Sequence, residues 1–220
     1  MNFDIASAAL WVFPLLLAVV CHEFAHGWVA QRCGDDTAAR LGRLTLNPIA
    51  HIDPFGTILM PAVLFASGSP FLFGYAKPVP VSWQNLRNPM RDMVFVAAAG
   101  PAMNLALAAT SAIVLGLLAG GDGHALQPHA GFVVARPLAI MAQRSVLINV
   151  VLAVFNLLPI PPLDGGRVAV GLLPSNLAQP LARLEPFGFL VVFGLLITGV
   201  LGALIGPIIM AVIEILSFLV

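Results

Sequence analysis

Apolar residues run almost unbroken over positions 8–30, 93–120, 137–158 and 187–206. Each run approaches or exceeds the ~20 residues a helix needs to cross a bilayer. Between the runs the chain turns polar and basic. Arg32, Arg40 and Arg43 follow the first, Lys77, Arg87 and Arg91 precede the second, and Arg167 and Arg183 separate the third from the fourth. The stretch 121–135 holds no Lys or Arg, and Arg136 borders it. This asymmetry predicts an N-terminus outside, with 31–56, 74–92 and 159–186 on the cytoplasmic side. Positions 57–73 are also apolar, but Pro61, Gly68 and Pro70 interrupt them and both flanks are basic. A re-entrant hairpin fits that pattern better than a full span, because irregular backbone at membrane depth needs protein or a watery cavity around it. On either side, 40–46 and 74–81 alternate in the manner of short strands. The tail, 187–220, is long enough for one span and a further helix after Pro207. The expected fold is an all-α polytopic membrane protein with about four to six transmembrane helices and a small β-hairpin or re-entrant element near the active site. It forms a single membrane-embedded domain over 1–220, with a core of about 8–173 and C-terminal helices of about 187–220.

Composition agrees with that reading. Of 220 residues, 60% are apolar and 9% charged, with mean hydropathy +0.98, where a soluble domain carries about 25% charged residues. The formal net charge is zero, and the basic residues form no cluster that could follow a nucleic-acid backbone. Cys21 and Cys33 are twelve positions apart, roughly 18 Å along a helix and too far for a disulfide. The first apolar run reads as a retained helix rather than a signal peptide, since its leading residues carry Asp4 and no Lys or Arg. Two small-xxx-small pairs, Gly116/Gly120 and Gly202/Gly206, suit helix packing within the chain or in a homo-oligomer. Glu214, an isolated acid in the apolar tail, reads as a bundle-facing structural residue, with a substrate-gate role as the alternative.

The chemistry starts inside the first run, at His22-Glu23-Phe24-Ala25-His26. At about 100° per residue, His22 and His26 are roughly 40° apart and share a helix face, with Glu23 about 60° beyond His26. Two imidazoles can then bind one ion, with a carboxylate beside its open position. Zinc suits such a site, and Glu23 would take a proton from water there. In a soluble helix a lone histidine pair is more often packed than metal-bound. At membrane depth ionisable groups are costly and usually functional. A third ligand is needed, and Asp164 is the best candidate. It follows Asn156 and the helix-breaking Pro159, Pro161 and Pro162, and it precedes Gly165-Gly166, which permit a tight turn back. The same aspartate would also serve as an N-cap for the following helix. His51 reads as a structural member of the 47–54 turn, and His124 and His129 fall in the outer loop.

These residues, with Gly42 through Pro48, His51 through Pro54, Ala76-Lys-Pro-Val-Pro80 and Gly100-Pro101-x-x-Asn104, closely resemble the site-2 protease family of intramembrane zinc metalloproteases. The motifs occur in the family's order over residues 20–167. The resemblance implies that His22, His26 and Asp164 ligate zinc, that Glu23 is the general base, and that Asn104 and Asn156 help line the active site. From the residues alone, an amide at that depth can serve a scissile carbonyl or can cross-link two helices. The family's larger members add a PDZ domain or a CBS pair, and no polar stretch here is long enough for either.

The function expected is therefore an intramembrane endopeptidase that cuts membrane proteins within or near a transmembrane helix. Its site would lie in the cytoplasmic half of the bilayer, the plasma membrane in a prokaryote. The alternative is a non-catalytic membrane adaptor or chaperone with the same fold. A metal transporter would need polar residues on successive spans, which this chain lacks. A helical substrate must be unwound before cleavage, and 40–46 is expected to offer the docking edge.

Overall fold

The computed structural model describes residues 5–60, 63, 76–119 and 132–220. The first apolar run forms α1 (Ile5–Arg32), 28 residues long and about 42 Å from end to end. A one-turn helix, α2 (Thr37–Arg40), follows. The second run forms α3 (Pro89–Ala119), which opens on Pro89, where a missing N–H costs nothing. The Asn88 amide donates to Asp92 Oδ2 at 2.9 Å, placing an acid in the first turn, where the helix dipole favours it. The third run forms α4 (Phe132–Asn156). After it come α5 (Asp164–Leu172), α6 (Ser175–Arg183), α7 (Gly188–Ile197) and α8 (Val200–Ser217).

Helices α1, α3 and α4 pack against one another, α5 leans on α3, and α8 covers α4 and part of α3. The buried residues are small: Ala18, Ala25, Ala30, Ala97, Ala108, Ala112, Ala142 and Ala153. Large apolar side chains such as Trp11, Phe13, Leu15, Phe95, Leu117 and Phe193 point outward. That inversion of a soluble core is what a bilayer selects, because lipid is as apolar as leucine and helices gain most by close approach of small residues. The central cluster joins Ala108 and Ala112 of α3 to Val146, Val150 and Val154 of α4, and α8 lays Ile205, Ile209, Val212 and Ile213 over it. Among the described residues, five segments are long and apolar enough to cross a membrane: Ala9–Arg32, Pro89–Leu118, Val134–Asn156, Ser175–Ile197 and Val200–Ser217.

Three expectations change. No strand forms at 40–46 or 76–81 among the described residues, so the β-hairpin is absent there. Alternation misled because Gly42, with φ of 65°, turns the chain in the middle of the first segment. In addition, the Thr45 carbonyl accepts from His51 Nε2 at 2.8 Å and is closed as a docking edge. The second segment forms no ladder: side chains bond the carbonyls of Lys77 and Pro78 and the Val79 amide, and the Lys77 amide donates to the His51 carbonyl. The re-entrant reading of 57–73 falls mostly outside the described residues. Second, the tail breaks at Gly199, which has φ of 76°, and not at Pro207, which sits inside α8. The region 159–186, expected on the cytoplasmic side, is largely helical. Third, Glu214 is exposed on α8 and does not face the bundle. Of the small pairs, Gly116 packs on the backbone of Val220, whereas Gly202 and Gly206 meet nothing within 4 Å of a modest side chain.

Candidate metal centre

Four residues apart on α1, His22 and His26 bring their Nε2 atoms to 3.0 Å. What their Nδ1 atoms touch decides which nitrogen carries the proton. His26 Nδ1 lies 2.7 Å from the carbonyl of Val96, which can only accept, so Nδ1 is the donor and Nε2 holds the lone pair. His22 Nδ1 lies 2.6 Å from Asn104 Oδ1. The orientation of that amide follows from its other contacts, because Asn104 Nδ2 donates to the Ala18 carbonyl at 3.2 Å and to Asn149 Oδ1 at 2.8 Å. Oxygen therefore faces His22, and His22 Nε2 also presents a lone pair.

Asp164 completes the cluster from a segment 138 positions beyond His26. Its Oδ2 lies 3.2 Å from His22 Nε2 and 3.4 Å from His26 Nε2, and it is buried without a protein donor. Three acceptors facing inward repel one another unless a cation sits between them. Ligands at about 2.0–2.1 Å in tetrahedral geometry stand about 3.3–3.4 Å apart, and the sides of this triangle, 3.0, 3.2 and 3.4 Å, come within a few tenths of an ångström of that spacing. Among the described residues it is the one such group of metal-binding side chains.

The chain is shaped for this convergence at two places. At Gly100 of α3 a Cβ would stand 2.4 Å from His26 Nε2 and 2.6 Å from His22 Nε2, so only glycine lets α3 approach the imidazoles. After α4 ends at Asn156 the backbone folds back so tightly that a Cβ on Gly165 would lie 2.2 Å from the Leu157 carbonyl. Asp164 is the first residue of α5, and the N-cap is Leu163, with no side-chain cap. The capping role open to Asp164 in the sequence is not the one it takes.

A cavity of about 360 Å³ opens beside the cluster, bordered by Glu23, Val79, Trp83, Asn156 and Arg167 among others. The Glu23 carboxylate reaches the segment 76–82, where its Oε2 accepts from the Val79 amide at 2.7 Å. Asn156 is on the cavity wall and donates to the Leu152 carbonyl at 3.0 Å. Asn104 is not on the wall. It is fully buried behind His22 and continues into a polar chain that sequence reasoning missed. There Asn149 Nδ2 donates to the carbonyl and hydroxyl of Ser145, and Ser111 Oγ donates to Ser145 Oγ at 2.8 Å. Asn149 is an isolated polar residue in an apolar span, and that cost was the available signal, whereas Ser145 directly follows Gln143-Arg144 and does not stand out.

Asp35, also missed, anchors the far end of 76–85. It is buried and accepts from the Ser82 amide at 2.6 Å, from Asn85 Nδ2 at 3.0 Å and from the Thr37 hydroxyl. Burial pushes its carboxyl up, but the hydrogen bonds from Thr37, Ser82 and Asn85 outweigh it and hold it below the usual range. His51 is buried in its own turn, away from the cluster, and its carbonyl accepts from the Lys77 amide at 2.9 Å. His124 and His129 lie outside the described residues. Cys21 and Cys33 are free.

The chain matches the description of peptidase family M50 over residues 10–146 and 127–199. It is 40% identical over 187 residues to YwhC of Bacillus subtilis, a candidate zinc metalloprotease by name, covering 85% of this chain and 80% of that one. Rip2 of Mycolicibacterium smegmatis, named in the same way, is 33% identical over 183 residues, 83% of this chain and 64% of that relative. Rip2 of Mycobacterium tuberculosis is 33% identical over 150 residues, 68% of this chain and 52% of that relative. No solved structure matches the chain.

Proposed function

Because the chain belongs to peptidase family M50, we propose that it is a membrane-embedded zinc endopeptidase that cleaves other membrane proteins within or near their transmembrane helices. The observation that carries this reading is the inward-facing triangle of His22 Nε2, His26 Nε2 and Asp164 Oδ2, with an orphaned carboxylate oxygen and Glu23 beside it. These three side chains would hold the zinc. Bound there, zinc supplies a Lewis acid that polarises a carbonyl and lets water lose a proton near neutral pH. Glu23 takes that proton and delivers it to the departing amide nitrogen. Asn104 and the Val96 carbonyl keep both imidazoles in the tautomer that offers Nε2. Asn156, on the cavity wall, binds the backbone of the substrate.

His22 to His26 lie about 9–15 Å before the end of α1 at 1.5 Å per residue. Arg32 closes α1 and Arg40, Arg43 and Lys77 follow it, so the cavity opens toward the cytoplasmic face by the bias of basic residues. Water enters from that side past Trp83 and Arg167, and the substrate is a membrane protein delivered through the bilayer.

The reading is tested by comparing membrane-protein fragments released in cells that carry the parent chain or Glu23→Gln. The amide keeps the shape and cannot accept the proton, so the variant is expected to hold zinc, bind substrate and release no fragments. Equal fragment release by the two would sink the catalytic assignment and favour the adaptor.

A further inference from the structure

The run Pro78-Val79-Pro80 contains one amide hydrogen, because proline has none. That hydrogen is donated to Glu23 Oε2 at 2.7 Å, in the short range of a bond to a charged acceptor. The segment around it is pinned without help from Glu23. Arg43 Nη2 donates to the carbonyls of Lys77 and Pro78 at 3.0 and 3.3 Å, the Lys77 amide donates to the His51 carbonyl, and the Ser82 amide donates to Asp35. Val79 itself is buried against α1 in the gap left by Gly27, one turn beyond Glu23, where a Cβ would come within 2.8 Å of Val79 Cγ1.

We propose that Val79 is a positioning residue for the general base: its backbone N–H, fixed to α1 by the Gly27 notch and by the anchors at 77, 78 and 82, holds Glu23 Oε2 so that Oε1 alone exchanges the proton. A glutamate side chain has several rotamers, and a backbone donor that is itself immobile selects one of them without adding rotatable bonds. The flanking prolines have a second effect. With no N–H at 78 or 80, no neighbouring amide competes for the oxygen that must stay free.

The inference rests on Glu23 being the base, and two measurements separate it from that assignment. The first is hydrogen exchange in the full zinc-loaded chain in detergent. Replacing Glu23 by Ala is expected to speed exchange at the Val79 amide at least about tenfold while leaving the Lys77 and Ser82 amides unchanged, since losing one hydrogen-bond partner exposes one donor. Unchanged exchange at Val79 overturns the proposal. The second compares Val79→Pro with Val79→Ala on a fluorogenic peptide whose single apolar span is interrupted by Gly and Pro. Both variants lose the valine packing and only the first loses the donor. Thus kcat is expected to be at least about tenfold lower in Val79→Pro, with equal KM and one zinc in each. Equal kcat, or loss of zinc in Val79→Pro alone, would make the contact structural and overturn the positioning role. Activity surviving in Glu23→Gln would instead remove the base assignment and leave the exchange result at Val79 as it stands.

Discussion

Each imidazole of the cluster meets a partner whose role is fixed: Val96 offers a carbonyl, and Asn104 is oriented by the Ala18 carbonyl and by Asn149. A residue behind a ligand typically changes metal affinity or activity by about 10- to 100-fold. Asn104→Leu is therefore expected to weaken zinc binding by that factor, measured by competition with a chromogenic chelator, and Asn149→Leu by less. Gly100→Ala tests the close approach. Alanine favours a helix over glycine by about 1 kcal/mol, yet its Cβ would press on both imidazoles. Zinc affinity is expected to fall at least about tenfold, and a variant with parental affinity would show that α3 has room there. At this scale the histidines and Asp164 were legible because spacing and scarcity mark them. The Val79 amide was not, since a backbone donor leaves no residue type to notice.

Among the elements, the segment 76–82 depends largely on side chains from outside it, with Arg43 on the carbonyls of Lys77 and Pro78, Glu23 on the Val79 amide and Asp35 anchoring its far end at Ser82. Removing that acceptor in Asp35→Ala leaves the Ser82 amide unpaired and is expected to cost about 1–3 kcal/mol near neutral pH. Because the folded carboxyl is held below its ordinary value, its contribution is full above about pH 4 and is lost as pH falls through the folded value. Thermal unfolding of the parent and Asp35→Ala should therefore differ at pH 6 and converge in acid; a gap that stays constant would show that the Asp35 charge does not matter. The same segment shows why strands were expected and did not form. Alternation of apolar and polar residues describes any extended chain with one buried side, and only the prolines at 78 and 80 warned that no ladder would follow. The tail was misjudged for a related reason: Pro207 is tolerated inside a membrane helix, whereas the left-handed Gly199 has to end one.

Across the whole molecule, hydropathy alone located the first three spans, because a bilayer demands long apolar helices and little else does. It could not say which faces meet. That is decided by small residues such as Ala108 and Ala112, which let α3 lie close to α4 under α8. Ala112→Leu is expected to overpack that seam and lower stability by about 1–3 kcal/mol. Thermal unfolding in detergent measures this, and a neutral result would show that the seam has room for the larger side chain. The seam matters for function because α1, α3 and the turn after α4 must keep three ligand atoms at 3.0, 3.2 and 3.4 Å from one another. The most direct test of that arrangement is the zinc content of the purified chain beside Asp164→Ala. About one zinc per chain in the parent and little in the variant is the predicted result; full occupancy in folded Asp164→Ala would contradict the three-ligand site and the folded-back turn that delivers it.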